Sequence, residues 1–140
     1  MKWQDIYEEI FNASFEEKLM IIETASSAIV DELTRLGLAK NAKTIIQSYY
    51  AMFACADYSL VSAEYKAYNL AFDDHLSSEE FFNLVSSLAR SDKVEAIITE
   101  LCKQNWNIKM AVTTLGLAIS SIDQEVRDEE MQMIKTFFEA

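Results

Sequence analysis

The chain contains no proline and only two glycines among 140 residues. Sandwiches and barrels need many tight turns, which draw on these two residues, so their scarcity argues against a β-rich fold. Cysteine is scarce too. Cys55 and Cys102 stand far apart, each in an apolar helical pattern. They read as free core thiols of a reducing compartment, with a disulfide between them as the alternative. Histidine occurs once, at His75. Basic residues number 12 against 23 acidic ones, a formal net charge of -11. So acidic a surface repels phosphate backbones and anionic leaflets, which argues against a nucleic-acid binder. What it attracts is cations and basic partners. Long apolar runs are also missing. The most apolar stretch, Met110–Ile122, is bracketed by Lys109 and Asp123. It is shorter than the roughly 20 residues that span a bilayer, so no direct membrane insertion is expected. The first residues, Met1-Lys2-Trp3-Gln4-Asp5, do not open a basic-then-apolar leader, and the expectation is a soluble cytoplasmic protein.

What remains is ordinary globular material. Hydrophobic residues make up 51% and charged residues 25%, which excludes low-hydrophobicity disorder. At roughly 100–200 residues per domain the length gives a single domain over residues 1–140. It can bury an adequate core without disulfides or metal. Helical periodicity runs through most of it. A short amphipathic helix is predicted over 2–12. Ser14 and Glu17 form a capping box that opens a helix through Leu36, stopped by Gly37. Further helices are predicted over 42–56, 62–72, 78–89, 92–103, 106–122 and 128–138. Ser77 and Glu80 form a second capping box. Breaks fall at Asp57–Val61, Gln104-Asn105 and Asp123–Arg127. The fold class is all-α: one bundle of seven or eight helices, with 106–122 as its central core helix.

One internal repeat stands out, at an offset of 66 residues. Asp57 pairs with Asp123, Leu60 with Val126, Ser62 with Asp128, and Glu64 with Glu130. The preceding helices align in character as well: Ile45 with Ala111, Ile46 with Val112, Tyr49 with Leu115, Phe53 with Ile119. Each copy is an apolar helix, a short acidic loop and a second helix. The Asp closes the first helix. The Glu lies in the first turn of the second, where the positive helix end favours a carboxylate. The two acids can then face each other across the loop.

The strings Ala54-Cys55-Ala56-Asp57-Tyr58-Ser59-Leu60-Val61-Ser62-Ala63-Glu64 and Ala118–Glu130 resemble the tellurite-resistance TerB family, whose fold also forms the N-terminal domain of the co-chaperone DjlA. The resemblance covers residues 42–140 as a duplicated core, with 1–41 adding N-terminal helices. It implies an all-helical fold built from a tandem helix-loop-helix. It also implies a context of chemical-stress resistance, phage defence or membrane-associated complexes. Acidic motifs of that family have been proposed to bind metal, which carries over to Asp57, Glu64, Asp123 and Glu130. This chain departs from the motif in one respect: Tyr58 and Gln124 replace the glycine after each Asp. A position that needs positive φ disfavours both residues.

The four acids have two readings. As ligands they suit hard cations such as Ca²⁺, Mg²⁺ or Mn²⁺. As caps they bond the exposed N–H groups of helix starts. The regular ligand array of an EF-hand is absent. His75 beside Asp73 and Asp74 could join a metal site or serve as a base, but a solvated loop histidine is the simpler reading. With one histidine, no Gly-rich phosphate loop, no CxxC and no HExxH, nothing points to an enzyme. Asn12-Ala13-Ser14 matches a glycosylation sequon but reads as a helix start. Most aromatic residues should be core. One of each adjacent pair, Phe81-Phe82 and Phe137-Phe138, should approach the surface, since helical neighbours point about 100° apart. Such a patch could serve a homodimer or a protein partner. The leading expectation is a non-catalytic binding module, tuned by a divalent cation at the acidic loops. The alternative is a purely structural interaction domain without metal; a remote third reading is an enzyme, which would need a deep pocket uniting His75 or a cysteine with carboxylates.

Overall fold

Capping boxes start two helices where the sequence places them. A computed structural model of the chain describes residues 2–54, 62–88, 92–122 and 128–140, with backbone alone for 54, 62–64 and 92. The described residues form eight α-helices and no strand: α1 (Trp3–Phe11), α2 (Phe15–Arg35), α3 (Ala39–Ala54), α4 (Ser62–Phe72), α5 (Ser78–Ser87), α6 (Asp92–Gln104), α7 (Trp106–Ser120) and α8 (Asp128–Glu139). The expected breaks at 57–61 and 123–127 lie outside the described residues.

Ser14 Oγ accepts from the Glu17 N–H at 3.1 Å, and the Glu17 carboxylate accepts from the Ser14 N–H at 3.0 Å. Ser77 and Glu80 repeat both bonds at the same lengths. These bonds, the backbone one foremost, hold the Glu17 and Glu80 carboxyls below their usual range. Folded carboxyls that titrate below the unfolded ones add stability above the unfolded value, near pH 4.5, and lose it as pH falls through the folded one. Ser14→Ala and Ser77→Ala should each cost about 1 kcal/mol in urea unfolding at neutral pH. Glu17→Gln and Glu80→Gln, which carry no titrating carboxyl, should each show a shallower loss of stability on acidification than the parent; an unchanged acid profile would detach the carboxylates from the caps.

The close of α2 is a Schellman motif. Gly37 takes φ +84°, the Leu38 N–H bonds the Leu33 carbonyl at 2.8 Å, and the Gly37 N–H bonds the Thr34 carbonyl at 3.0 Å. The chain re-enters helix at once, so α3 begins at Ala39 rather than at the expected 42. Ala39, Lys40 and Asn41 carry no apolar period, and only the backbone reveals that first turn.

α7 is the central element. It packs against α1, α2, α3, α6 and α8. From Leu115 to Ser120 every residue is buried, as expected of a helix that is apolar all round. α2 runs antiparallel to it: Lys18 meets Ser121 at one end, and Ala28 and Asn107 line a common groove towards the other. α3 lays Ile46, Tyr49 and Phe53 into the same core, each at most 1% exposed. Their repeat partners Val112, Leu115 and Ile119 are buried equally. A second aromatic cluster ties α3, α4 and α5 together. In it Tyr68 lies 5.4 Å from Tyr50, 4.7 Å from Phe72 and 5.3 Å from Phe81, measured between ring centroids.

Candidate functional site

Of the four acids singled out by the repeat, Asp57 and Asp123 lie outside the described residues, as does the side chain of Glu64. Glu130 is the third residue of α8 and is buried, at 4% exposure. Among the described residues no group of three or more His, Cys, Asp or Glu is gathered as a metal site would need. His75 is exposed on the loop between α4 and α5. That loop is shaped by Asn69, whose amide both donates to the Leu76 carbonyl and accepts from its N–H. Asp73 sits there at φ +52°, a conformation Asp tolerates.

Cys102 is a free, buried thiol. Burial pushes its pKa up to about 11, against a smaller opposing pull from Lys109. Thiolate is the reactive form, so at neutral pH Cys102 is a protonated core residue. Iodoacetamide should leave the Cys102 peptide largely unmodified in the folded protein and label it fully in urea, as read by mass spectrometry. Rapid native labelling would mean that the α6–α7 region opens readily. Cys55 lies outside the described residues.

A buried cation stands at the C-terminal end of α7. Lys18 is 2% exposed, its ammonium donates to the Ser121 carbonyl at 2.7 Å, and it lies 5.6 Å from the Phe11 ring centre. The last carbonyls of a helix lack intrahelical donors and carry partial negative charge, so an ammonium satisfies both needs. Ser121 is two residues ahead of Asp123 in the sequence.

An apolar opening lies elsewhere, along α7. A groove of about 480 Å³ runs between the end of α1, one flank of α2 and the outer face of α7. Ile10 and Glu9 close it on the α1 side. Met20, Ile21, Thr24, Ala25 and Ala28 form the α2 wall, and Met110, Ala111 and Thr114 the α7 wall. Met20 is 66% exposed. Trp106, one turn before Met110, is 54% exposed, with Lys109 Nζ 5.9 Å from its ring. Thr114 keeps its hydroxyl on the Met110 carbonyl, at 2.8 Å, so the lining is largely apolar in character.

Sequence reasoning missed this groove. The signal was the run Leu19-Met20-Ile21-Ile22, four apolar neighbours that one helix face cannot all bury. Trp106 departs from the expectation that most aromatics are core, because it opens α7 just after the Asn105 cap, where the helix is still at the surface. The adjacent pairs behave as expected in kind: Phe81 is buried and Phe82 is 55% exposed, while Phe137 is buried and Phe138 half-buried. Compared with protein-family models, curated proteins and solved structures, the chain matches none.

Proposed function

We propose that this chain is a non-catalytic protein-interaction module of the TerB-like kind, serving a bacterial stress response, and that the groove along α7 is its docking face. The observation that carries the reading is the unspent apolar surface there: a 480 Å³ groove beside a methionine that is 66% exposed. Methionine is adaptable and is over-used at surfaces that accept partner helices. The protonated Cys102 and the solvent-exposed His75 support a non-catalytic role. The matched burial of Ile46, Tyr49 and Phe53 with Val112, Leu115 and Ile119 supports the duplicated core, while buried Ile45 and half-buried Ala111 differ.

The test is a photo-cross-linking amino acid at Met20 in cells that make the protein. A discrete adduct is expected, and Ala111→Trp, which fills the groove, should abolish it. If the probe is silent at Met20 but active at Phe82 or Leu70, the docking face lies on α4 and α5 instead.

Tuning by Ca²⁺, Mg²⁺ or Mn²⁺ at Asp57, Glu64, Asp123 and Glu130 is the second part of the proposal. The Lys18 ammonium weighs towards the cap reading for the second copy, since a fixed cation already serves the end of α7. Thermal unfolding of EDTA-stripped protein separates the two. A bound ion at a hundred times its dissociation constant adds about 2.7 kcal/mol, a rise of several degrees. A rise that Asp57→Ala and Asp123→Ala remove makes the acids ligands. No rise, with variants that simply melt lower, makes them caps.

A further inference from the structure

Resting on the docking-face reading above, we infer that the occupant of the groove is a basic amphipathic helix from a partner protein. The dimensions fit a helix. The α2 wall runs from Met20 to Ala28 and the α7 wall from Asn107 to Thr114. At 1.5 Å per residue these walls are about 12 and 10 Å long, two helical turns each. That length accepts the i, i+3 or i+4, and i+7 apolar anchors of one helix face. Ala25, Ala28 and Ala111 keep the walls low, so a guest backbone can approach closely. Met20 and Met110 supply side chains that adapt to the guest's anchors.

Charge selects the sign of the guest. From Trp3 to Thr34, the span of α1 and nearly all of α2, there are eight carboxylates and one base. That base is Lys18, buried at the end of α7. Glu9 lines the groove itself, and the exposed Glu17 and Asp31 share by helical phase the α2 flank of Met20 and Thr24, whereas Glu16 and Glu23 are exposed off that flank. Glu32 is joined to Arg35, the first exposed base after this span. On the α7 side Lys109 donates to the Ala140 carbonyl at 2.6 Å and keeps its positive charge, so the acidic character belongs to the α1–α2 side alone. A guest helix with lysine or arginine beside its apolar face therefore meets opposite charge along the α1–α2 rim. A second copy of this chain would bring the same carboxylates against themselves, and an anionic membrane surface would be repelled.

The experiment uses the whole chain, isotope-labelled, and two synthetic helices with one leucine pattern. One carries lysine at its polar positions and the other glutamate. The leucine/lysine helix is expected to bind, to move the amide resonances of Met20, Ala28, Met110 and Ala111, and to weaken with added salt. Met20→Glu should weaken it about tenfold, the scale of losing one interface anchor. This substitution adds a negative charge, so binding that strengthens in Met20→Glu would reveal mere charge attraction and overturn the inference. Because Met20 is exposed, an unchanged melting temperature will show that the variant is folded.

The failures are distinguishable. If the glutamate helix fills the groove and the lysine helix does not, the basic partner is wrong and the docking face stands. If neither helix moves the groove amides and the cross-linker at Met20 is silent, both readings fall. If the groove resonances move only with protein concentration, the occupant is a second copy, and the inference is overturned in its favour.

Discussion

Lys18→Ala is expected to cost the fold about 4 kcal/mol, a fall in melting temperature on the order of 15 °C for a chain of this length. Two of the losses already add up to this. Alanine keeps Cβ but removes the three buried methylenes beyond it, at about 0.8 kcal/mol each. The Ser121 carbonyl, itself in a buried residue, loses its 2.7 Å donor, and an unsatisfied buried acceptor costs about 1–3 kcal/mol. Lys18→Met separates the two effects, since it keeps the stem and removes the ammonium. It should recover about half of the loss. A methionine variant as stable as the parent would show that the end of α7 finds another donor and that only packing matters. Urea unfolding of the two variants and the parent decides the matter.

Gly116→Val should destabilise by about 3 kcal/mol, and Gly116→Ala by about 1 kcal/mol despite the better helix propensity of alanine. A Cβ at this position would lie 2.9 Å from Tyr49 Oη and 3.0 Å from Ile134 Cγ1. Neither neighbour yields easily. The Tyr49 hydroxyl donates to the Val112 carbonyl at 2.6 Å, and its ring is wedged 5.0 Å from Phe53 and 5.8 Å from Phe137 between centroids. Ile134 is fully buried on α8. The same wedge holds the Tyr49 hydroxyl well above its ordinary pKa, because burial disfavours the phenolate. A double-mutant cycle checks the cause. In a Tyr49→Phe background the nearest clash is gone, so Gly116→Ala should cost less than it does in the parent. Additive effects would place the strain at Ile134 instead.

Much of the fold was legible because several helix boundaries carry their own chemistry. Ser14 with Glu17, and Ser77 with Glu80, announce helix starts through a pattern four residues long. Gly37 announces a stop because its φ of +84° is one that side chains resist. The sustained apolar character of 106–122 marked α7 as central, and α7 does contact most of the other helices. The site was less legible, for two physical reasons. A groove is a property of three helices at once, and Glu9, Met20 and Met110 are distant in sequence. The buried Lys18 looked like any surface lysine, since nothing local tells that a helix end 103 residues away needs a donor. The repeat drew attention to acids, whereas the described surface offers apolar side chains.

The placement of the indole rings has a practical consequence. Trp3 and Trp106 both stand against Phe138, at 5.6 and 6.3 Å between ring centroids. Tryptophan emission therefore watches only the end of the molecule where the starts of α1 and α7 meet the close of α8. The Tyr50, Tyr68, Phe72 and Phe81 cluster lies among α3, α4 and α5 and contributes to near-ultraviolet circular dichroism instead. If the chain melts as one unit, the two signals fall at one temperature. If the α4–α5 segment loosens first, the dichroism of the tyrosines will fade while the tryptophan emission stays native.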